Sequence, residues 1–370
     1  MTNRRYPTLI QSLPSTVPFV GPETLERQAG RVFEARLGAN ENGFGPSPKT
    51  VAAMRDATSE IWKYGDPTCF ELKEALATHL GCDPENLIVG EGIDGLLGYL
   101  VRLLIEPGDP VVTSVGAYPT FNYHVAGFGG VLHKVPYRDD NEDLPALIAK
   151  AREVDAKLIY FANPDNPMGS WSTGDDIKSA LVDLPSDTLL ILDEAYIECA
   201  PDEAQLDLAW DDPRIIRFRT FSKAYGMAGA RIGYGIGAAD LIASFDKIRN
   251  HFGVNLMAQA GALAALQNQD WLGHIRRALD VSRADIYRIA TENGLQPLPS
   301  ATNFVAIDCG RNGTYARALL AALGELGVFI RMPSAAPQDR CIRVSCGPKP
   351  DMERLANALP EALQRVNSQS

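Results

Sequence analysis

The sequence has no excess of positive charge and no pattern of paired cysteines. Its 370 residues carry 35 lysines and arginines against 46 aspartates and glutamates, which gives a net charge of −11. This balance argues against a protein that binds nucleic acid, because the phosphate backbone selects basic surfaces. The six cysteines form no CxxC motif, so reduced thiols in a cytoplasmic protein are expected.

Long apolar runs and metal-binding patterns are lacking too. No window approaches about 18 uninterrupted apolar residues, so neither a membrane span nor a signal peptide is expected. The five histidines have no metal-ligand spacing, and no metal site is predicted. What is present, 370 residues with 45% apolar content, is typical of a globular enzyme with one large and one small domain.

Short apolar runs alternate with helical patterns from residue 86 to 236, which predicts a mostly parallel, doubly wound sheet with helices on both faces. In such sheets the ligand lies at the carboxyl ends of the strands. The predicted strands of this part are 86–90, 110–114, 131–135, 156–161, 189–193 and 215–220. A smaller α+β part follows, with strands predicted at 303–307, 328–331 and 341–345. Residues 1–38 are predicted to be irregular apart from the strand-like segment 32–37.

The chemistry-bearing residues are concentrated in residues 189–234. LLILDEAYIE is an apolar strand that ends in polar groups, and RIIRFRTFSKAYGMAGARIGY is a strand that continues into a loop of small residues. The polar groups at these two strand ends are Asp193, Tyr196, Ser222, Lys223 and Arg231.

This inventory suits pyridoxal phosphate (PLP). Its aldehyde needs a lysine amine, its pyridine nitrogen needs a carboxylate, and its phosphate needs an arginine with hydroxyl and backbone donors. A further anion site is indicated by the glycine-rich turn before the helix in GEGIDGLLG, because backbone N–H groups point outward at a helix N-terminus.

Three of these segments resemble motifs of the fold-type I PLP-dependent aminotransferases, most closely the histidinol-phosphate aminotransferase branch. They are SKAYGMAGARIGY (222–234), ILDEAYIE (191–198) and ANPDNPMGS (162–170). The resemblance runs from about Ala39 to Gly347 and implies the aspartate aminotransferase-like fold of the PLP-dependent transferases. It implies an N-terminal arm at 1–38 that contributes to the small domain, a large PLP-binding domain at 39–268 and a small C-terminal domain at 269–370.

The resemblance also assigns cofactor contacts. Lys223 is implied to form the Schiff base and to move the substrate proton, while Asp193 pairs with the pyridine nitrogen. The ring oxygen is assigned to Tyr196 and Asn166, and the ring face to Phe121, with Tyr118 as the alternative. The phosphate is assigned to Gly92, Ile93, Asp94, Ser222, Arg231 and, across a homodimer interface, Tyr64 of the neighbouring subunit.

Four residues are implied to contact substrate. Asn40 and Asn303 border the reacting end of the substrate, and Arg343 matches the arginine that binds the α-carboxylate in a bidentate geometry. Arg331 matches a position that binds the substrate phosphate in histidinol-phosphate aminotransferases. Met168 replaces the threonine that is usual in the family motif, so any hydroxyl contact at that position is lost.

The implied reaction moves an amino group from histidinol phosphate or an aromatic amino acid to a 2-oxo acid. A PLP-dependent decarboxylase of the threonine-phosphate type shares the scaffold and most motifs, and an aromatic or broad-specificity aminotransferase fits them equally. A transcription regulator with an aminotransferase-like effector domain is a third alternative. Such a regulator places a basic winged-helix domain before the effector domain, and residues 1–38 do not resemble one.

Overall fold

The computed structural model describes residues 5–15 and 20–368. In these residues the strands are β1 (Ala35–Arg36), β2 (Leu87–Gly90), β3 (Pro110–Ser114), β4 (Val131–Val135), β5 (Leu158–Ala162), β6 (Leu189–Asp193), β7 (Ile215–Thr220), β8 (Gly233–Ile236), β9 (Gln296–Pro297), β10 (Phe304–Asp308), β11 (Val328–Phe329) and β12 (Cys341–Ser345).

The helices of the same residues are α1 (Thr8–Ser12), α2 (Pro22–Ala29), α3 (Pro48–Ala57), α4 (Phe70–Leu80), α5 (Ile93–Leu104), α6 (Pro119–Gly127), α7 (Leu144–Val154), α8 (Gly174–Ala180), α9 (Ala239–Ser244), α10 (Leu256–Leu266), α11 (Gln269–Glu292), α12 (Gly313–Glu325) and α13 (Lys349–Asn367). None of them is long and apolar enough to cross a membrane.

A seven-stranded sheet organises the larger part of the chain, in the order β2-β8-β7-β6-β5-β3-β4. Strands β3 to β7 are parallel, whereas β8 is antiparallel to both β2 and β7. The mostly parallel sheet predicted from the sequence is confirmed. Strand β8 has no prediction of its own, because GYGI is too short and too rich in glycine to show a strand pattern.

Helices cover both faces of this sheet. Along β6, Ile191 packs into a core with α5 and α6, while Leu190 and Leu192 pack into a second core with α7 and α8. This alternation follows from the two-residue period of a strand. The doubly wound arrangement therefore buries the sheet on both sides and leaves the strand ends as its accessible edge.

The C-terminal part is a separate α+β layer. Strand β10 pairs antiparallel with β12 and β9, and α11, α12 and α13 cover this small sheet with one apolar core. Strand β1 pairs in parallel with β11, with Ala35 opposite Val328, so the N-terminal segment contributes to this layer. The domain boundaries at 38 and 268 stay predictions.

The N-terminal segment differs from its prediction, since it contains α1 and α2. Helix α2 begins with Pro22 at its first turn and ends at Gly30, whose φ of 67° allows the left-handed terminus. Glu26 then accepts the backbone N–H of Phe33 (3.0 Å) and the guanidinium of Arg36 (3.0 Å). The proline-rich composition hid this short helix.

The register of the parallel strands places the polar segments side by side. Ala162 at the end of β5 lies opposite Asp193 at the end of β6, which lies opposite Phe218 in β7. The segments that follow these strands therefore meet at one edge of the sheet, as predicted.

Candidate active site

A cavity of ≈ 730 Å³ lies at this edge, between the strand ends, the N-terminal segment and the small C-terminal layer. Of the predicted cofactor residues, it is lined by Ile93, Asp94, Asn166, Asp193, Tyr196, Ser222, Lys223 and Arg231. Of the predicted substrate residues, it is lined by Asn40, Arg331 and Arg343. In the described residues no group of three or more His, Cys, Asp or Glu side chains could hold a metal ion.

The amine of Lys223 lies inside the cavity. Its Nζ donates to the backbone oxygen of Asn40 (3.3 Å) and lies 5.5 Å from the ring centroid of Tyr196. The side-chain amide of Asn40 in turn donates to the Tyr196 hydroxyl (3.0 Å). One residue of the GANEN segment (38–42) therefore positions both groups, and the amine has no carboxylate partner among the described side chains.

Asp193 is a buried carboxylate that, in the described structure, accepts hydrogen bonds only from neutral groups. The Tyr160 hydroxyl donates to one of its oxygens (2.6 Å) and the backbone N–H of Ala195 to the other (3.0 Å). Burial raises the pKa of Asp193 to about 6, although both hydrogen bonds act to lower it. Among the described residues no cationic group lies within 4 Å of it, and a protonated heterocyclic nitrogen fits this position.

The N-terminus of α5 forms an anion site with Ser222 and Arg231. No side chain caps this helix, so its first N–H groups remain available. Arg231 Nη1 lies 3.5 Å from the Ser222 hydroxyl oxygen. Gly92 has a φ of 84°, and a Cβ there would lie 2.7 Å from the Arg231 guanidinium. Glycine is therefore required where the turn meets the arginine, and the site suits a phosphate group.

Two further arginines, Arg331 and Arg343, line the cavity. Arg343 donates from Nη1 to the side-chain oxygen of Asn166, and its Nε is buried without a partner. Arg331 donates from Nη2 to the backbone oxygen of Val20 (2.6 Å). Among the described residues neither guanidinium forms an ion pair. A substrate carboxylate would supply the missing acceptor for Arg343.

Phe121, predicted to stack on the cofactor ring, does not line the cavity. Phe121 is 0% exposed and packs in the core against Tyr160, with the ring centroids 4.8 Å apart. Tyr118 lines the cavity instead, with its hydroxyl 3.4 Å from Asp94. The signal was Pro119, which begins α6. Tyr118 is the N-cap of this helix and stays in the loop that follows β3, whereas Phe121 in the first turn faces the core.

Asn303 and Tyr64 also lie outside the cavity lining. Asn303 is fully buried and donates its amide to the backbone oxygen of Asn40 (3.0 Å), so it supports the GANEN segment. Tyr64 is 79% exposed beside Phe252. Sequence reasoning missed Tyr160, and it also missed Gly21 and Pro22 of the N-terminal segment, which line the cavity mouth. No sequence pattern marks these three residues.

A lysine amine, a buried carboxylate and a phosphate-sized anion site at the ends of a doubly wound sheet define a cofactor-dependent group-transfer enzyme. The family model for aminotransferases of class I and II matches residues 35–359. The chain belongs to this family and is an aminotransferase.

Individual relatives show which aminotransferases the chain resembles. A solved structure of histidinol-phosphate aminotransferase from Sinorhizobium meliloti, in complex with pyridoxal-5'-phosphate, is 54% identical, with a TM-score of 0.95 over 99% of this chain and 98% of that chain. A histidinol-phosphate aminotransferase 2 from Carboxydothermus hydrogenoformans is 33% identical over 96% of this chain and 98% of its own length. One from Moorella thermoacetica is 34% identical, over 96% and 92%. These relatives confirm the predicted fold and branch and do not favour the decarboxylase alternative.

Proposed function

We propose that this aminotransferase works with PLP and moves the amino group of histidinol phosphate to a 2-oxo acid. The observation that carries the proposal is one cavity in which Lys223, Asp193 and the α5 anion site face each other. The names of the relatives from three organisms support the donor.

The residues present fit the cofactor. Bound PLP supplies an electron-accepting ring that stabilises negative charge at the amino-bearing carbon of the substrate. Asp193, ionised above a pKa of about 6, would keep the ring nitrogen protonated. Lys223 would bind the cofactor aldehyde and move the proton at the substrate carbon. Tyr196 and Asn166 would donate to the ring oxygen, and Tyr118 is the aromatic side chain available to the ring.

The remaining lining residues form two groups, one for the phosphate of the cofactor and one for the anionic groups of the substrates. The α5 N-terminus, Ser222 and Arg231 would hold the cofactor phosphate. Arg343, whose Nε lacks an acceptor, would bind the carboxylate of the 2-oxo acid, and Arg331 would bind the phosphate of the donor.

A second copy of the chain would complete the site. Four large apolar side chains are exposed, Trp62 (80%), Tyr64 (79%), Phe70 (61%) and Phe252 (52%), and the rings of Tyr64 and Phe252 lie 4.7 Å apart. Apolar side chains exposed to this extent mark an interaction surface. We assign it to a homodimer in which Tyr64 reaches the phosphate site of the neighbour.

The six free cysteines, five of them buried, agree with a reducing, cytoplasmic location.

The test is a titration of the cofactor-loaded enzyme with single amino donors, without acceptor, followed by the change in cofactor absorbance. The panel contains histidinol phosphate, phenylalanine, tyrosine, histidine and phosphothreonine. Conversion by histidinol phosphate far ahead of the others is expected. Conversion chiefly by phenylalanine and tyrosine would replace it with an aromatic donor, and carbon dioxide release from phosphothreonine would contradict transamination.

The role of Arg331 can be separated by comparing histidinol phosphate with histidinol. Arg331→Gln is expected to weaken use of the phosphorylated donor by roughly 10- to 100-fold, the range for a hydrogen bond to a charged group. Its effect on histidinol should be small. The exposed Arg311→Gln serves as the control, and equal losses on both donors would contradict the phosphate role.

A further inference from the structure

Two carboxyl groups lie buried behind the cavity, and a single tyrosine hydroxyl lies between them. Asp165 and Glu142 are 1% and 6% exposed. The Tyr137 hydroxyl lies 2.9 Å from Asp165 Oδ1 and 3.4 Å from Glu142 Oε1. Neither carboxyl forms an ion pair with any described residue. Family resemblance assigned none of these three residues a role.

The hydroxyl has one proton and can donate it to only one of the two carboxyl groups. The shorter distance identifies Asp165 as the acceptor. The contact with Glu142 is then favourable only if Glu142 is protonated and donates to the tyrosine oxygen. Glu142 Oε2 accepts the backbone N–H of Ala162 (3.1 Å), which leaves Oε1 to carry the proton. The geometry thus gives a chain from Glu142 through Tyr137 to an ionised Asp165.

The negative charge of Asp165 is linked to Arg343, the arginine proposed to bind substrate, through the loop that carries Asn166. Asp165 accepts the backbone N–H of Met168 (2.9 Å) and thereby closes the loop that carries Asn166. Asn166 in turn accepts from Arg343, which has no carboxylate partner of its own among the described residues. Asp165 is therefore adjacent in the chain to Asn166, which contacts Arg343, and a negative charge nearby stabilises a partly buried guanidinium.

We propose that Asp165 is the internal counter-charge of Arg343, and that a carboxylate bound at Arg343 replaces it, so that the Glu142–Asp165 pair takes up a proton. Before binding, the charges are Arg343⁺ and Asp165⁻. Afterwards they are Arg343⁺, the substrate carboxylate and a neutral pair, and the only new covalent bond is the O–H bond of the proton taken from solvent. This inference rests on the proposed role of Arg343.

The titration behaviour of the pair agrees with this assignment. Burial raises the pKa of Asp165 to about 7, although the Met168 N–H, Tyr137 and Arg343 act to lower it. Burial and the negative charge of Asp165 raise the pKa of Glu142 well above its usual value. The titratable or charged groups that face the pair or Arg343 are Tyr118, Tyr137, Tyr160, Asp193, Tyr196, Arg331 and Arg343.

Calorimetric binding of glutarate, an unreactive dicarboxylate, tests the proposal. The enzyme carries the amine form of the cofactor, so that Lys223 is not engaged with it. Titrations at pH 7.5 in two buffers with different heats of ionisation give the number of protons bound. About half a proton per site is expected for a group with a pKa near 7 that rises by about one unit on binding.

Two variants sharpen the result. Asp165→Asn removes the charge, and Tyr137→Phe removes the donor that keeps Asp165 ionised. Both are expected to bind glutarate several-fold more tightly at pH 7.5 and to lose most of the proton uptake. Glu142→Gln keeps the donor to Tyr137 and the acceptor for the Ala162 N–H, so it should behave like the parent enzyme. Cofactor absorbance and thermal unfolding confirm that each variant is folded.

A residue that only supports the loop would give the opposite sign, with weaker binding in Asp165→Asn and Tyr137→Phe. That result, or glutarate binding by the parent enzyme without proton uptake, would overturn the coupling while leaving the transaminase assignment intact. No glutarate binding at all would contradict the carboxylate role of Arg343, and the coupling with it. The donor titration tests transamination separately.

Discussion

Asp193 and Glu194 are consecutive residues at the end of β6, and they serve opposite sides of the sheet. Asp193 faces the cavity, with a hydroxyl and a backbone N–H as its donors. Glu194 faces the other way and accepts from Arg217 (2.7 and 3.1 Å) and Arg219 (2.8 Å). Both carboxylates are buried, at 5% and 1% exposure, so burial alone does not distinguish them.

Their pKa values differ because their partners differ. Burial acts to raise the pKa of both carboxylates, and in Asp193 it raises the pKa to about 6. In Glu194 the two arginines outweigh burial and hold the pKa below its usual value. A buried carboxylate whose charge is already matched stabilises the fold, whereas one whose charge is unmatched is available to a cationic ligand.

The largest effect is expected on the cavity side, at Lys223. Lys223→Ala should abolish transamination, a loss of roughly 10⁵-fold or more, as for other residues that act covalently. The fold should remain, since the amine contacts only the backbone oxygen of Asn40 and the ring of Tyr196 in the described structure. Turnover and thermal unfolding are measured together. Appreciable turnover in a cofactor-loaded variant would contradict the assignment.

Asp193→Asn should reduce kcat/KM by about 10³-fold, because the ring nitrogen loses its counter-charge. The unfolding free energy of the cofactor-free protein should stay the same or rise, since the amide oxygen can accept the Ala195 N–H and the amide NH2 can donate to the Tyr160 hydroxyl oxygen, at no charge-burial cost. Kinetics of the loaded enzyme and denaturant unfolding of the free protein are the measurements. A strongly destabilised variant would place Asp193 with the structural carboxylates.

Glu194→Gln is the matched change on the other side. It should destabilise the protein by about 3–5 kcal/mol, because Arg217 and Arg219 are left as buried charges without a partner. The folded fraction should keep most of its kcat. Urea unfolding measures the first quantity, and turnover per mole of bound cofactor the second. Unchanged stability would mean that Trp210, whose ring centroid lies 4.3 Å from Arg217, and the other contacts suffice.

Lowering the pH should protonate Asp193 before Glu194, with a smaller effect than the substitutions above. As the pH falls through about 6, Asp193 becomes protonated, and cofactor affinity should fall by about tenfold per pH unit below that value. Glu194, with its lowered pKa, stays ionised over this range. Its stabilisation is present above the unfolded-state pKa and is lost only as the pH falls through the lower folded-state pKa. Stability should therefore change later than affinity.

Reconstitution of the cofactor-free protein between pH 5 and 8 measures this affinity. The Asp193→Asn variant is the control, since it retains the titration of the cofactor phosphate and loses that of the carboxylate. Equal pH dependence in both proteins would assign the effect to the phosphate alone.

Most of the fold and much of the site could be predicted from the sequence, because each depends on local patterns. The apolar runs 110–114 and 131–135 form strands as predicted, and both parallel pairing and the edge that carries the site follow from strand–helix alternation. The motifs that end in Asp193 and Lys223 lie at the carboxyl ends of their strands. Those side chains meet because neighbouring parallel strands end at the same edge.

The residues that were misplaced depend on rotation and depth, which a motif does not encode. Phe121 lies three residues after Tyr118, but the start of α6 at Pro119 turns it into the core. Asn303 lies in a segment that matches its motif, yet it is fully buried and its amide donates to the backbone oxygen of Asn40. The motifs predicted to within a few residues which segments border the cavity. They did not predict which side chain of each segment faces it.

By itself, the sequence determined the class of fold, the order of its elements and the kind of chemistry, since periodicity and residue type are local properties. Only the tertiary structure decided which carboxylates are matched by arginines, that Tyr118 rather than Phe121 faces the cavity, and that Glu142 lies beside Asp165 through Tyr137. The contact between Tyr137 and Asp165, for example, joins residues 28 positions apart in the chain. They arise when packing excludes water, because a charge without water must find its partner within the protein.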